Sequence, residues 1–375
     1  MKKVKVSAPG KIILHGEHAV VHGKRAIACA VDGRITVETT KTDETSLKFK
    51  MVALSMRNDI HIKLTDIENL ASSSKFNNEA NLETNIKSFV EKNFENENKL
   101  FQIALTIFLF GYLKIFSKSN NFPCLNIEVK SQNLPIGAGL GSSAAINVAM
   151  ATAFLVMADQ IQPTGNDMLL NEESLTLINE HAYLMEKIVH GNPSGIDNSV
   201  ATYGGAASFQ AGVITRLKNF PELRFLVTDT KVSRNTKALV SAVQEKLSQY
   251  PETTGHILYA IDEICKTAEK LFANWNETEN SQNQLKDLLK INHHLLNSIG
   301  VGHAKLDKIH QLSNDFGFAC KLTGAGGGGC AITLIDEGTD AQRVESLKQE
   351  LHDNGFLSWE ATLGCGGVKM LEVVR

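Results

Sequence analysis

The chain predicts an α+β protein built in two parts. Three observations carry that expectation. Several β-prone stretches alternate apolar and polar residues, and long helical stretches lie between and after them. The length of 375 residues is long for one core and comfortable for two.

In chain order, residues 4–7, 26–40 and 46–64 read as β-prone segments with alternation. Residues 71–99 are polar, rich in Asn, Glu, Lys and Ser, and read as exposed helix or a mobile loop. A helix is expected over 100–117. Leu125-Asn126-Ile127-Glu128-Val129 then alternates like a half-buried strand. Helices follow over 142–158 and 172–189. In the second of these Leu175, Ile178, Ala182, Met185 and Val189 recur at helical spacing and mark a buried stripe. After the Tyr203-Gly204-Gly205 turn, strands are expected over 206–216 and 222–229. The boundary is placed near residue 225, dividing the chain into 1–225 and 226–375. The second part carries helices near 233–249, 255–275, 283–298 and 303–316, a strand–glycine loop–strand unit, and a terminal helix and strand. Asn274 to Gln284 is the clearest loop, and no internal repeat is visible.

Composition sets bounds on function. Hydrophobic content of 43% and charged content of 21% suit a globular protein, and a net charge of −3 offers no nucleic-acid or anionic-membrane surface. Six cysteines without paired spacing suit reduced thiols in the cytoplasm. The most apolar stretch, Ile103 to Phe116, is interrupted by Thr106, Gly111 and Lys114 and reads as too short to cross a bilayer. The basic start at Met1-Lys2-Lys3 has no apolar signal region after it. Asn276-Glu277-Thr278 fits the glycosylation template but has no meaning without secretion. His15, His18 and His22 invite a metal reading that no H-E-x-x-H or C-x-x-C spacing supports.

The most informative stretch is Leu134-Pro135-Ile136-Gly137-Ala138-Gly139-Leu140-Gly141-Ser142-Ser143-Ala144-Ala145. Three glycines in five positions let the backbone pass close to a ligand. Two serines stand where a helix N-cap is favoured, before a run of good helix formers. A strand, a glycine loop and a helix N-terminus present converging N–H donors, which suits a phosphate. No Lys follows these glycines, so this is not a P-loop, and Ser142 stands where a dinucleotide fingerprint needs its third glycine. Lys321-Leu322-Thr323-Gly324-Ala325-Gly326-Gly327-Gly328-Gly329-Cys330 does match G-x-G-x-x-G. Yet β-prone Ala331-Ile332-Thr333-Leu334-Ile335 follows it where a dinucleotide fold needs a helix.

Together with Lys5 to Gly23, which opens Ser7-Ala8-Pro9-Gly10-Lys11, these runs resemble the three motifs of the GHMP kinase superfamily. His190-Gly191-Asn192-Pro193-Ser194-Gly195-Ile196-Asp197-Asn198 sharpens the likeness to its mevalonate kinase branch of animal type. Thr230 to Thr236 and Gly300 to Ala304 share it, and residues 40–100 carry little of it. The resemblance implies a first domain like domain 2 of ribosomal protein S5, a ferredoxin-like α+β second domain, and an active site in the cleft between them. It further implies transfer of phosphate from ATP, with Mg²⁺, to the 5-hydroxyl of mevalonate, an isoprenoid and sterol precursor, by a homodimer.

Residue roles follow from the same likeness. Gly137, Ala138, Gly139, Leu140, Gly141, Ser142 and Ser143 would hold the ATP phosphates, and Ser143 and Glu186 the Mg²⁺. Periodicity alone leaves Glu186 open between a solvated helix face and the edge of the buried stripe. Asp197 would receive the hydroxyl proton with Lys11 as its matching cation, the plain alternative being a turn-forming Asp beside glycine. Glu17 and His18 would line the acceptor pocket, His18 suiting the carboxylate, and Ser194 and Thr236 would orient Asp197. Arg234 reads equally as a structural ion-pair residue. Adenine contacts are not fixed, though the segment around Ser131 is plausible. Ile136 and Ile146 depart from the vertebrate pattern of a second Pro and an aromatic, which bears on the nucleotide pocket. Two other readings stay open: another small-molecule kinase of the superfamily, which would want a basic cluster in the first motif, and an inactive ligand-binding paralogue, which should have lost Lys11, Ser143, Glu186 or Asp197.

Overall fold

The computed structural model describes residues 2–52, 59–73, 79–117, 121–275 and 279–374. Its first strand, β1 (Lys3–His15), is nearly all buried and runs antiparallel to β2 (Ala26–Lys41). The pairing slips between Pro9 and Gly10, so Lys11 follows directly on a bulge, a device that re-aims side chains. The expected segment 46–64 resolves into β3 (Ser46–Met51) and β4 (Ile60–Lys63).

The polar stretch expected as exposed helix or loop contains α2 (Glu79–Asn93), after α1 (Leu64–Ser73). Leu82, Ile86 and Val90 bury one stripe of α2, and polar residues cover the rest. Next, α3 (Lys99–Phe116) begins at Asn98, whose side chain accepts from Phe101 N. Among the described residues α3 is the one helix long and apolar enough to cross a bilayer by composition, which corrects the shorter stretch read from sequence. Here it forms core: Phe108 stacks on Phe49 with centroids 4.4 Å apart, and Tyr112 meets Phe154 edge-on.

Beyond it lie β5 (Leu125–Gln132), α4 (Ser142–Met157) and α5 (Glu172–His190). A short helix, α6 (Ile196–Tyr203), was not expected from sequence, where the Pro and glycines before it read as turn. The strand expected over 206–216 is a hairpin of β6 (Ala206–Gln210) and β7 (Val213–Leu217). Ala211 and Gly212 both take positive φ at its two-residue turn, which matches the twist of paired strands.

β8 (Leu223–Asp229) follows, then α7 (Thr236–Gln249), α8 (Pro251–Ala273), α9 (Glu279–Ser298) and α10 (Ala304–Asp315). Pro251 opens α8, four residues before the expected start, because a first-turn proline lacks only an N–H that would be unpaired. The Asn276-Glu277-Thr278 template and the middle of the loop expected from Asn274 lie outside the described residues. The chain closes with β9 (Ala319–Leu322), β10 (Cys330–Leu334), α11 (Ala341–Asp353), β11 (Leu357–Leu363) and β12 (Lys369–Val374).

The twelve strands among the described residues form one connected sheet, ordered β4-β3-β5-β2-β11-β8-β10-β9, with β1, β12, β6 and β7 joined alongside. Within that sheet β11 meets β2 through a single registered pair, Leu363 opposite Val31. Residue 225 falls within β8, which pairs with both β10 and β11, and the terminal strand β12 returns to pair with β1. Ala19, from the loop after β1, packs with Leu226, Val243, Leu258 and Ile261 in the core of the second half. The segment that follows β1 is therefore held from both sides.

Candidate active site

The site is built where β1, the β5–α4 loop and α6 meet. Lys11 N donates to Leu140 O at 2.8 Å, tying the bulged strand to the glycine loop. Gly141 caps α4 in the left-handed conformation (φ 72°), and a Cβ there would stand 2.7 Å from Lys11 Cγ. The expected cap by Ser142 or Ser143 is thereby corrected: both serines are the first helical residues. Their N–H groups stay free for an anion, and the Ser143 hydroxyl is free to turn elsewhere.

It turns to Glu186. Ser143 Oγ donates to Glu186 Oε1 at 2.7 Å, and Asn147 Nδ2, one turn along α4, donates to the same oxygen at 2.7 Å. His190 Nε2 lies 3.4 Å from the other oxygen. Glu186 is 4% exposed, which settles the choice between helix surface and buried edge. Burial pushes its carboxyl above the usual range and the nearby Asp197 charge adds to that, while Ser143, His190 and Asn147 oppose it.

Asp197 stands in the first turn of α6, behind Gly195 as cap, where the helix dipole favours a carboxylate. Its Oδ2 lies 3.2 Å from Lys11 Nζ. The lysine side chain is only 11% exposed and the aspartate 38%, so the pair presents its carboxylate outward.

Other expected residues fall differently. Glu17 is sealed in the interior, 1% exposed, with one oxygen ion-paired to the fully buried Lys321 of β9 and the other accepting from Asn292 Nδ2 at 3.1 Å. A carboxylate engaged at both oxygens does not present itself to a substrate, so the structure removes it from the acceptor pocket. His18 is buried and holds Ala325 O, in the second glycine loop, through Nε2 at 2.8 Å. Ser194 is exposed and accepts from Ile196 N at 3.5 Å, and Thr236 is exposed at the start of α7. Neither has a described hydrogen bond to Asp197.

Arg234 is the residue that sequence reasoning left open. Its Nη2 donates to Ala138 O at 2.8 Å, and Cβ atoms at Gly139 and Gly329 would fall 1.6 and 2.2 Å from its guanidinium. It thus bridges both glycine loops, which only glycine permits at this range. The signal available beforehand was its place in the Thr230–Thr236 segment.

Beside the first loop opens an apolar cavity of about 290 Å³, lined by Met51, Ile103, Ile107, Ile136, Ile146 and Val189 and reaching Ser142 and Ser143. Both residues that depart from the vertebrate pattern, Ile136 and Ile146, form its wall. Ser131, the earlier candidate, instead closes the turn before the loop by donating to Leu134 O.

Comparison with known proteins identifies the family. Residues 107–205 match the GHMP kinases N terminal domain and residues 260–353 the GHMP kinases C terminal. The chain is 39% identical to human mevalonate kinase over 97% of this chain and 94% of that one. It is 36% identical to the Arabidopsis thaliana mevalonate kinase over 98% and 99%. The mevalonate kinase structure from Methanococcus jannaschii superposes with a TM-score of 0.71 at 25% identity, covering 98% of each chain. At 39% identity to the human protein over nearly the full length of both chains, with both domain models matched, the chain belongs to the mevalonate kinase family of GHMP kinases.

Proposed function

We propose that this chain transfers the γ-phosphoryl group of ATP to the 5-hydroxyl of mevalonate, giving 5-phosphomevalonate and ADP. The observation that carries the reading is the Lys11–Asp197 pair, set directly beside a glycine loop with free helix N–H groups. Phosphoryl transfer through a loose transition state is mainly positioning and charge stabilisation. The loop N–H groups from Gly137 to Ser143 receive the phosphates. Asp197 accepts the proton of the acceptor hydroxyl, and Lys11 orients it and faces the oxygen that gains charge. Arg234 supplies a second cation across the loops.

Mg²⁺ fits the donor set, because Ser143 and Glu186 offer adjacent hard oxygens, one of them a buried carboxylate. When bound, the cation neutralises phosphate charge. The apolar cavity next to Ser142 suits the flat adenine ring. Ser194 and Thr236, both exposed, offer hydroxyls for the acceptor. The family likeness supports a homodimer, testable by sedimentation, and six free cysteines suit the cytoplasm.

A coupled assay with mevalonate, galactose and homoserine tests the function. Turnover is expected with mevalonate alone. Comparable kcat/KM with either other alcohol would favour a different kinase of the superfamily, and no turnover with any would favour an inactive paralogue.

A further inference from the structure

Helix α4 is buried and mostly apolar, yet Asn147 stands in its second turn at 1% exposure. An amide taken out of water is costly unless it finds a partner. Its partner is Glu186. Asn147 Nδ2 donates to Glu186 Oε1 at 2.7 Å, and the same oxygen accepts from Ser143 Oγ at 2.7 Å. Residues 143 and 147 are one turn apart on one face of α4, so both donors meet α5 together.

The two oxygens of Glu186 are therefore unlike. Each carboxylate oxygen offers two lone-pair sites, and on Oε1 a hydroxyl and an amide take both. Oε2 has one described contact, His190 Nε2 at the longer distance of 3.4 Å. The two donors also differ. A hydroxyl gives one hydrogen and keeps two lone pairs, so Ser143 can hold Glu186 and still face a cation. The Asn147 amide nitrogen has only hydrogens to give, so toward Glu186 it orients and does not ligate.

We propose that Asn147 is a positioning residue for the divalent cation of the phosphate site, locking Glu186 through Oε1 and leaving Oε2 for the metal. This rests on the kinase and cation reading above. The terminal torsion of a glutamate is broad, so a single donor leaves the plane of the carboxylate loosely set. A second donor from a rigid helix fixes it. Loss of a partner that orients a metal-binding carboxylate typically costs about 10–100-fold in metal affinity.

The test titrates Mn²⁺ into protein saturated with ADP and reads free Mn²⁺ by electron paramagnetic resonance. Calorimetry of ADP binding in chelator reads the nucleotide site without metal. Glu186→Gln and Asn147→Ala should each weaken Mn²⁺ binding by about 10–100-fold, with ADP binding in chelator within about twofold. Because Asn147 acts through Glu186, adding Asn147→Ala to Glu186→Gln should cost less than about twofold more, a non-additivity expected only of coupled residues. Asn147→Val fills more of the space without a donor and should repeat the result, which keeps the test open if the alanine variant fails to fold. Unchanged Mn²⁺ affinity in a folded Asn147 variant, with affinity lost in Glu186→Gln, overturns the proposal and leaves the cation reading intact. Full additivity in the double variant, or an equal loss of metal-free ADP binding, makes Asn147 merely structural and also overturns it. Unchanged affinity in Glu186→Gln overturns the cation reading and the proposal with it.

Discussion

Lys11 Nζ and Asp197 Oδ2 lie 3.2 Å apart, bringing a bulged strand of the first motif against the first turn of a short helix far along the chain. The lysine is buried and the aspartate faces outward. That asymmetry is what a proton acceptor with a fixed cationic partner requires.

Asp197→Asn keeps the volume and removes the charge and basicity. Turnover should fall about 10²–10⁴-fold, the range for loss of a general base, with ATP affinity little changed. Lys11→Met should also be slow. The two act as a unit, so the double variant should be far less impaired than the product of the single losses. Retention of more than about a tenth of turnover by Asp197→Asn, below the lower edge of that range, would remove it as the proton acceptor.

Glu186→Gln should separate activity from stability. A bound cation supplies several kcal/mol of charge stabilisation, so turnover should drop by about a hundredfold or more. The Glu186 carboxyl is raised by burial in the folded state, so its neutral form is favoured by folding. The sign follows: stability is fullest below the ordinary carboxylate range and is lost as pH rises through the raised pKa. At neutral pH the amide should therefore unfold at a higher temperature than the native protein. A lower midpoint in scanning calorimetry would contradict this account.

Gly139 adopts φ +78°, and any Cβ there meets the Arg234 guanidinium. Gly139→Val should displace Arg234 and strain the loop, at roughly 1–3 kcal/mol for the backbone alone. ATP affinity should fall by about tenfold or more, with mevalonate affinity less affected. Unchanged nucleotide binding by titration calorimetry, in folded protein, would reduce the loop to a simple turn.

Acid stability should report His293. Its Nδ1 accepts from Leu322 N at 3.3 Å, and its ring stacks on His310 at 4.0 Å, directly under the strand that leads into the second glycine loop. Burial, then the neighbouring His310, Lys321 and His294, lower its pKa to about 3. A lowered histidine contributes stability that is present above its unfolded pKa and is lost as pH falls from about 6.5 toward 3. The loss should approach about 1.4 kcal/mol per pH unit for this proton. Denaturant midpoints across that window should flatten in His293→Gln, and an unaltered slope would place the sensitivity elsewhere.

Much of the fold was legible because it rests on local signals. Alternation marked β5, and three glycines before a run of helix formers marked the first glycine loop. Helical spacing marked Ile178, Ala182 and Met185 as buried in α5, although Val189 at the end of that stripe is exposed. Family likeness then pointed to Lys11, Ser143, Glu186 and Asp197, and the structure pairs Lys11 with Asp197 and Ser143 with Glu186. What stayed hidden has particular causes. The helix α6 is eight residues long behind a Pro and two glycines, too short for a periodic signal, so Asp197 read as part of a turn. Arg234 reaches the first glycine loop through a contact 96 residues distant in sequence, which no local pattern records.

The sequence by itself determined the segments that become strands, helices and anion-binding loops, since dihedral freedom at glycine and the period of apolar residues are properties of neighbours in the chain. Tertiary structure alone decided which charges meet and which are hidden. Glu17 and Asp197 are both carboxylates beside glycine-rich motifs, yet one is buried against Lys321 and the other faces outward from Lys11. Burial and partner distance fix what a carboxylate can do, and both depend on surfaces brought together from opposite ends of the chain.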